Sequence, residues 1–249
     1  MRFLSYCAVL LLCLAAARPN FARAQQLDVW SNGGPHPVPL KADISDDKCS
    51  ECHSDIGKGK YVHTAMITGC TTCHQVKNKA GSTRVVLIAP IRQLCINCHP
   101  LAKSKVLHSP YREGYCLVCH SPHATNFPNH TWVSTQDTCL GCHARSRQKI
   151  NTEQKTVTVP WGVTLTFRAV QGCEYLSLNP DLTVGHPVAG HPVSGPNTAL
   201  GATAPPITCL SCHKAHASNF AYLLPKTPPD PDTPLCKSCS LCIDCHRSM

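Results

Sequence analysis

Seven stretches of this chain set two cysteines three positions apart and follow the second with a histidine. They are Cys49, Cys52 and His53; Cys70, Cys73 and His74; Cys95, Cys98 and His99; Cys116, Cys119 and His120; Cys139, Cys142 and His143; Cys209, Cys212 and His213; and Cys242, Cys245 and His246. Thiols at this spacing are reached from one turn of backbone by the two vinyl groups of a porphyrin, and the adjacent imidazole then meets the iron as proximal ligand. The predicted chemistry is covalent attachment of seven c-type haems. Paired cysteines also hold zinc, and seventeen residues separate Cys52 from Cys70 and Cys98 from Cys116, an interval seen in zinc ribbons. Zinc, however, makes no demand for histidine at the next position. Histidine supplies 15 of the 249 residues, so its recurrence after all seven pairs by chance has a probability on the order of 10⁻⁹.

A haem with one protein ligand is open to small molecules, whereas one with two is closed and passes electrons. The sixth ligands available therefore bear on function. Methionine is scarce: Met1 belongs to a leader, which leaves Met66 and Met249. Histidine is thus the expected distal ligand, and it keeps reduction potentials lower than methionine does. Eight histidines lie outside the motifs, at 36, 63, 108, 123, 130, 186, 191 and 216. His36, His186 and His191 share the wording His-Pro-Val; His63 and His108 each follow a motif by nine or ten positions; His123 and His216 occupy matching places in a duplication described below. His130 aligns with Leu223 in that duplication and is set aside. The expected distal set is His36, His63, His108, His123, His186, His191 and His216, one for each iron. Which of them serves which haem is not written in the sequence.

Two stretches carry a family resemblance. Leu107-His108-Ser109-Pro110 leads into Gly114-Tyr115-Cys116-Leu117-Val118-Cys119-His120-Ser121-Pro122-His123-Ala124, and a weaker echo runs from Gly185 to Gly195 and then from Cys209 to Ala217. In these the chain resembles the doubled-CXXCH family of multihaem c-type cytochromes. The resemblance implies stacked haem pairs near van der Waals contact, with exposed edges at both ends, and haem attachment outside the cytoplasm.

The elements that must position these residues can be taken in order. Arg2, the apolar run Cys7 to Ala17 and Ala22-Arg23-Ala24 have the zones of a secretory signal peptide, with cleavage expected after Ala24. No stretch approaches eighteen apolar residues, so no transmembrane segment is expected, and the protein should be periplasmic or extracellular. Residues 25–48 form a proline-rich arm around His36. Residues 49–143 hold five haem sites whose first cysteines advance by 21, 25, 21 and 23 residues, a repeat of two sites with a solitary histidine between them.

Residues 144–208 break the spacing. Val157, Val159, Trp161, Val163, Leu165 and Phe167 alternate with mostly polar residues, which predicts a β-hairpin near residues 155–169 turning at Pro160-Trp161-Gly162. A flap over a haem edge is the expected role, ahead of a docking surface. Residues 209–249 hold the last two sites, and Cys116 to Phe127 recurs there as Cys209 to Phe220, an internal duplication. The second copy carries an insertion with Cys236-Lys-Ser-Cys239 and Ser240 where histidine would be needed. A disulfide, within this pair or to Cys173, is favoured over a degenerate eighth haem site in an oxidising compartment.

The expected fold is a small multihaem cytochrome, mostly irregular, with short α-helices around stacked haems. Only 6% of the chain is aromatic and 21 residues are proline, so the porphyrins themselves must supply much of the buried apolar surface. The formal charge of +9 falls to about +6 without the leader arginines, and the haem propionates bring the holoprotein near neutrality when oxidised and make it acidic when reduced. No basic run with interleaved aromatics suggests nucleic acid. The function expected is electron transfer with other redox proteins, cytochromes or membrane-bound oxidoreductases, and without enzymatic activity. A multihaem reductase of a nitrogen or sulfur oxyanion would need an open iron, and a cytochrome filament, the self-assembling alternative, would use a distal histidine such as His36 across a subunit boundary.

Overall fold

The computed structural model describes residues 34–201, 203–226 and 240–246. The expected signal peptide, the first part of the arm, and Cys236 and Cys239 lie outside these residues. Regular structure is short throughout, as expected of a chain rich in proline. The helices are α1 (Asp46–Cys52), α2 (Ile91–Ile96), α3 (Ser109–Glu113), α4 (Cys116–Cys119), α5 (Thr135–His143), α6 (Cys209–Cys212) and α7 (Ser240–Ile243). All but α3 carry part or all of a Cys-x-x-Cys-His motif. The motif closes one helical turn on itself: the amide of the histidine donates to the carbonyl of the first cysteine in His53, His99, His120, His213 and His246, at 2.8 to 3.0 Å. That turn puts both thiols and the imidazole within reach of one planar group.

The strands are β1 (Tyr61–Val62), β2 (His74–Lys79), β3 (Ser82–Leu87), β4 (Val106–Leu107), β5 (Ala124–Thr125), β6 (Lys149–Asn151), β7 (Thr156–Thr158), β8 (Thr164–Thr166) and β9 (Ala217–Ser218). All pair antiparallel, as β1·β5, β2·β3, β4·β9 and β6·β7·β8. The hairpin expected near residues 155–169 is β7·β8, and it turns at Gly162 (φ +87°), whose amide donates to the Val159 carbonyl at 2.9 Å. β6 joins it as a third strand that the alternation did not reveal. The hairpin β2·β3 was also unforeseen; Ala80 and Gly81, both at positive φ (48° and 76°), make the two-residue turn whose twist suits a hairpin.

The protein core sits where the β7·β8 hairpin meets the fourth and fifth motifs. Val159, Val163 and Leu165, from the apolar face of the hairpin, bury against Val118, with Tyr115, Cys119, Cys142 and Trp161 around them. Leu140 and Ala144 of the fifth motif are buried as well. Trp161 bolts the two motifs together, since its Nε1 donates to the Val118 carbonyl at 2.8 Å while its ring lies over Gly141. A Cβ on Gly141 would stand 2.3 Å from Trp161 Cζ3. Gly141→Ala should therefore displace the indole and cost about 1–3 kcal/mol, as overpacking does. A lowered denaturant midpoint with an unchanged number of attached haems is the expected result; an unchanged midpoint would show that Trp161 does not bear on this contact.

Candidate haem sites

Each of the seven motif histidines faces one histidine from outside the motifs. Ring centroids are 6.2 Å apart for His53 and His36, 6.1 Å for His74 and His123, 6.0 Å for His99 and His63, and 5.8 Å for His120 and His216. They are 6.1 Å apart for His143 and His108, 6.1 Å for His213 and His186, and 6.2 Å for His246 and His191. Two imidazoles bonded to one metal from opposite sides, each at about 2 Å, bring their centroids to about 6 Å. The remaining histidine, His130, meets His63 edge to face at 5.2 Å.

Short elements produce these pairs. Ladder β1·β5 joins Tyr61 to Thr125 and Val62 to Ala124, so the next residues, His63 and His123, emerge side by side, with the His63 amide donating to the His123 carbonyl at 2.8 Å. Ladder β4·β9 repeats the arrangement for His108 and His216, again at 2.8 Å. An asparagine clamps each ladder: Asn126 Oδ1 accepts from the Lys60 amide at 3.1 Å, and Asn219 Oδ1 from the Lys105 amide at 3.3 Å. The repeats exchange facing histidines through these ladders. His63 follows the first motif and faces the third; His108 follows the third and faces the fifth; His123 and His216 follow the fourth and sixth and face back to the second and fourth. His36 reaches the first motif because its arm is tied to β2·β3: the His36 amide donates to Thr83 O at 2.7 Å, and Asn78 Nδ2 donates to Leu40 O at 3.0 Å.

Ring orientation is set by backbone carbonyls. Nδ1 of His120, His143 and His213 donates to the carbonyls of Asn129, Glu174 and Tyr222 at 2.9, 2.7 and 2.7 Å, and Nδ1 of His36 and His191 donates to Val38 O and Pro192 O at 2.6 and 2.9 Å. Nε2 is then left with its lone pair. Asn129 and Tyr222 sit at φ +58° and +55°, a left-handed conformation costing about 1 kcal/mol or more in a non-glycine residue. In exchange, both carbonyls aim at a motif histidine. Burial holds His63, His74, His108, His120, His123, His186 and His216 below the usual imidazole range, so these rings are neutral near pH 7, the form that binds metal.

The motifs neighbour one another in sequence order. Thiols interact between Cys49 and Cys70, Cys73 and Cys95, Cys95 and Cys116, Cys119 and Cys142, Cys139 and Cys209, and Cys212 and Cys242. A shared device packs the first motif on the second, the third on the fourth, and the fifth on the sixth: the residue three before the first cysteine of the earlier motif grips the start of the later one. Asp46 Oδ1 accepts from the Thr71 amide at 2.8 Å, Arg92 lies against Gly114, and Gln136 Oε1 accepts from the Cys209 amide at 3.1 Å. The insertion of residues 144–208 is looped out between the members of the third such pair. Cys173 lies beside the fifth motif, its Sγ 3.4 Å from Cys142 O.

The motif cysteines and the seven pairs of facing histidines line one cavity of about 4020 Å³. Divided among the seven motifs it leaves about 570 Å³ for each, within the roughly 300–1,000 Å³ of a single ligand site. Thiol pairs, facing imidazoles and an apolar cavity together fit covalently attached haem. The β2·β3 anchor of His36, the ladder asparagines and the Asp46, Arg92 and Gln136 grips were missed in the sequence. Only the recurrence of Ala-x-Asn in the duplication pointed to the asparagines.

Comparison with known proteins matches residues 63–104, 108–148 and 205–239 to the family described as doubled CXXCH motif. No curated protein and no solved structure matches the chain. The two ladders can be separated experimentally: Asn126→Ala should remove one hydrogen bond worth about 1 kcal/mol and reduce hydrogen-exchange protection of the His63 amide. The His108 amide, held by the other ladder, should keep its protection, whereas equal losses at both would mean that the ladders are not independent.

Proposed function

This chain belongs to the doubled-CXXCH family of multihaem c-type cytochromes, and from that premise we propose that it is an exported heptahaem electron carrier. The observation that carries the reading is the set of seven facing histidine pairs. His53, His74, His99, His120, His143, His213 and His246 would hold the irons from one side, and His36, His123, His63, His216, His108, His186 and His191, in that order, from the other. The fourteen motif cysteines would hold the porphyrins as thioethers. Haem bound between two histidines supplies one-electron chemistry at low potential. The protein's own part would be to close both faces of each iron, orient the rings, and align the sites from first to seventh so that neighbours lie close.

Closed irons favour electron transfer over oxyanion reduction, which needs a vacant position and a substrate-binding group beside it. The tie of His36 to its own chain's hairpin favours a self-contained carrier over a filament. Among the described residues no helix is long and apolar enough to cross a membrane. The leader read in the sequence supports export, and redox proteins of the periplasm or cell surface are the partners that fit.

Intact mass should count seven haems, and the oxidised protein should show low-spin iron only in electron paramagnetic resonance; a full equivalent of high-spin iron would put a reductase first. His36→Ala should open one iron, giving one high-spin haem in seven at every protein concentration. Wild-type protein that turns partly high-spin on dilution would instead mean that His36 is donated between chains, and a wholly low-spin mutant would mean that another residue ligates the first haem.

A further inference from the structure

The two ligand-exchanging ladders are built alike, yet one carries an aromatic ring that the other lacks. Helix α3 starts directly after His108, and three residues on from that histidine its Tyr111 stacks on His216, with ring centroids 4.6 Å apart and planes only 13° from parallel. This is an offset-stacked arrangement within ordinary aromatic contact. The phenol is fixed at its far end as well, because Tyr111 Oη accepts a hydrogen bond from the Ala102 amide at 2.7 Å. In the first repeat the position three after His63 is Met66, which has no planar face to offer His123. The ring planes differ accordingly. His216 is turned 57° from its partner His120, whereas His123 is turned only 30° from His74.

We propose that Tyr111 is a positioning residue for the fourth haem: by stacking on His216 it holds that imidazole rotated away from the plane of His120, and so makes the fourth site electronically unlike its counterpart, the second. This rests on the reading of His120 and His216 as the two ligands of one iron. The physical link is general. In low-spin ferric iron between two imidazoles, the angle between the ring planes sets the splitting of the iron orbitals that overlap the ligand π systems, and hence the g-values. A tethered aromatic ring resists imidazole rotation that a thioether chain, with its freely turning bonds, would permit.

The test compares wild type with Tyr111→Met, the residue that the first repeat carries at this place, and with Tyr111→Phe, which keeps the stacking face. Haem count by mass and the low-spin resonance spectrum of the oxidised protein are read for each. Tyr111→Met should retain seven haems and show no high-spin signal, while the low-spin signal of one haem in seven moves; Tyr111→Phe should leave that signal near its wild-type position. Tyr111→Leu serves the same comparison if the Met variant loads fewer haems. A full-count Met or Leu variant with an unchanged low-spin envelope overturns the proposal, as does a Phe variant that shifts as far as Met. Failure of the underlying reading would look different: wild-type protein itself would show high-spin iron or fewer than seven haems.

Discussion

Two imidazoles that face each other across about 6 Å leave a gap suited to one metal atom bonded to both, and protein atoms do not fill it. Seven such pairs border the cavity at the interior of this chain, with the motif thiols beside them. Most local features answer to that constraint. The motif turns present thiols and a ring together, backbone carbonyls, two of them on residues in left-handed conformations, hold Nδ1, and two-residue ladders deliver paired rings to the opposite side. Burial holds the rings of His63, His74, His108, His120, His123, His186 and His216 below the usual imidazole range, which favours the neutral form that binds metal.

The exchange of facing histidines between repeats ties those features into one unit. His63 and His123 leave the same ladder and go to different motifs, so neither site can be completed by its own repeat; His108 and His216 behave alike. Separate doubled units would each leave motif histidines without a facing ring, which argues that the repeats order together. The grips from Asp46, Arg92 and Gln136 add a second link along the chain of motifs. The third grip joins residues 73 positions apart, across the whole insertion. Loop-closure entropy rises only slowly with length, so an insertion of this size is tolerated if both its ends stay anchored.

Protein side chains form a substantial core at one place only among the described residues, under the three-stranded sheet at the fourth and fifth motifs. There the inserted hairpin supplies valines and leucine that the short helices cannot, and Trp161 joins the two motifs directly. Elsewhere the motif residues, such as Cys52 and Cys98, are exposed in the polypeptide alone.

Seven Cys-x-x-Cys-His motifs were legible from residue type and spacing because a motif is local: one helical turn contains all of it. The candidate distal histidines could be grouped by wording and counting, and the alternation of residues 156–166 announced its hairpin, since period-two burial is also local. The partnership of rings is another matter. His63 faces His99 and His123 faces His74, and likewise His108 faces His143 and His216 faces His120, because ladders two residues long join segments 66 and 114 positions apart, as the Lys60–Asn126 and Lys105–Asn219 contacts record. A two-residue strand has no period to read, and its partner is chosen by packing of the whole chain. The stacking of Tyr111 on His216 has the same origin. Tyrosine in a short helix is an ordinary sequence feature; what made it a neighbour of a ligand ring was a ladder formed with residues far along the chain, a contact that exists only once the tertiary structure brings both repeats together.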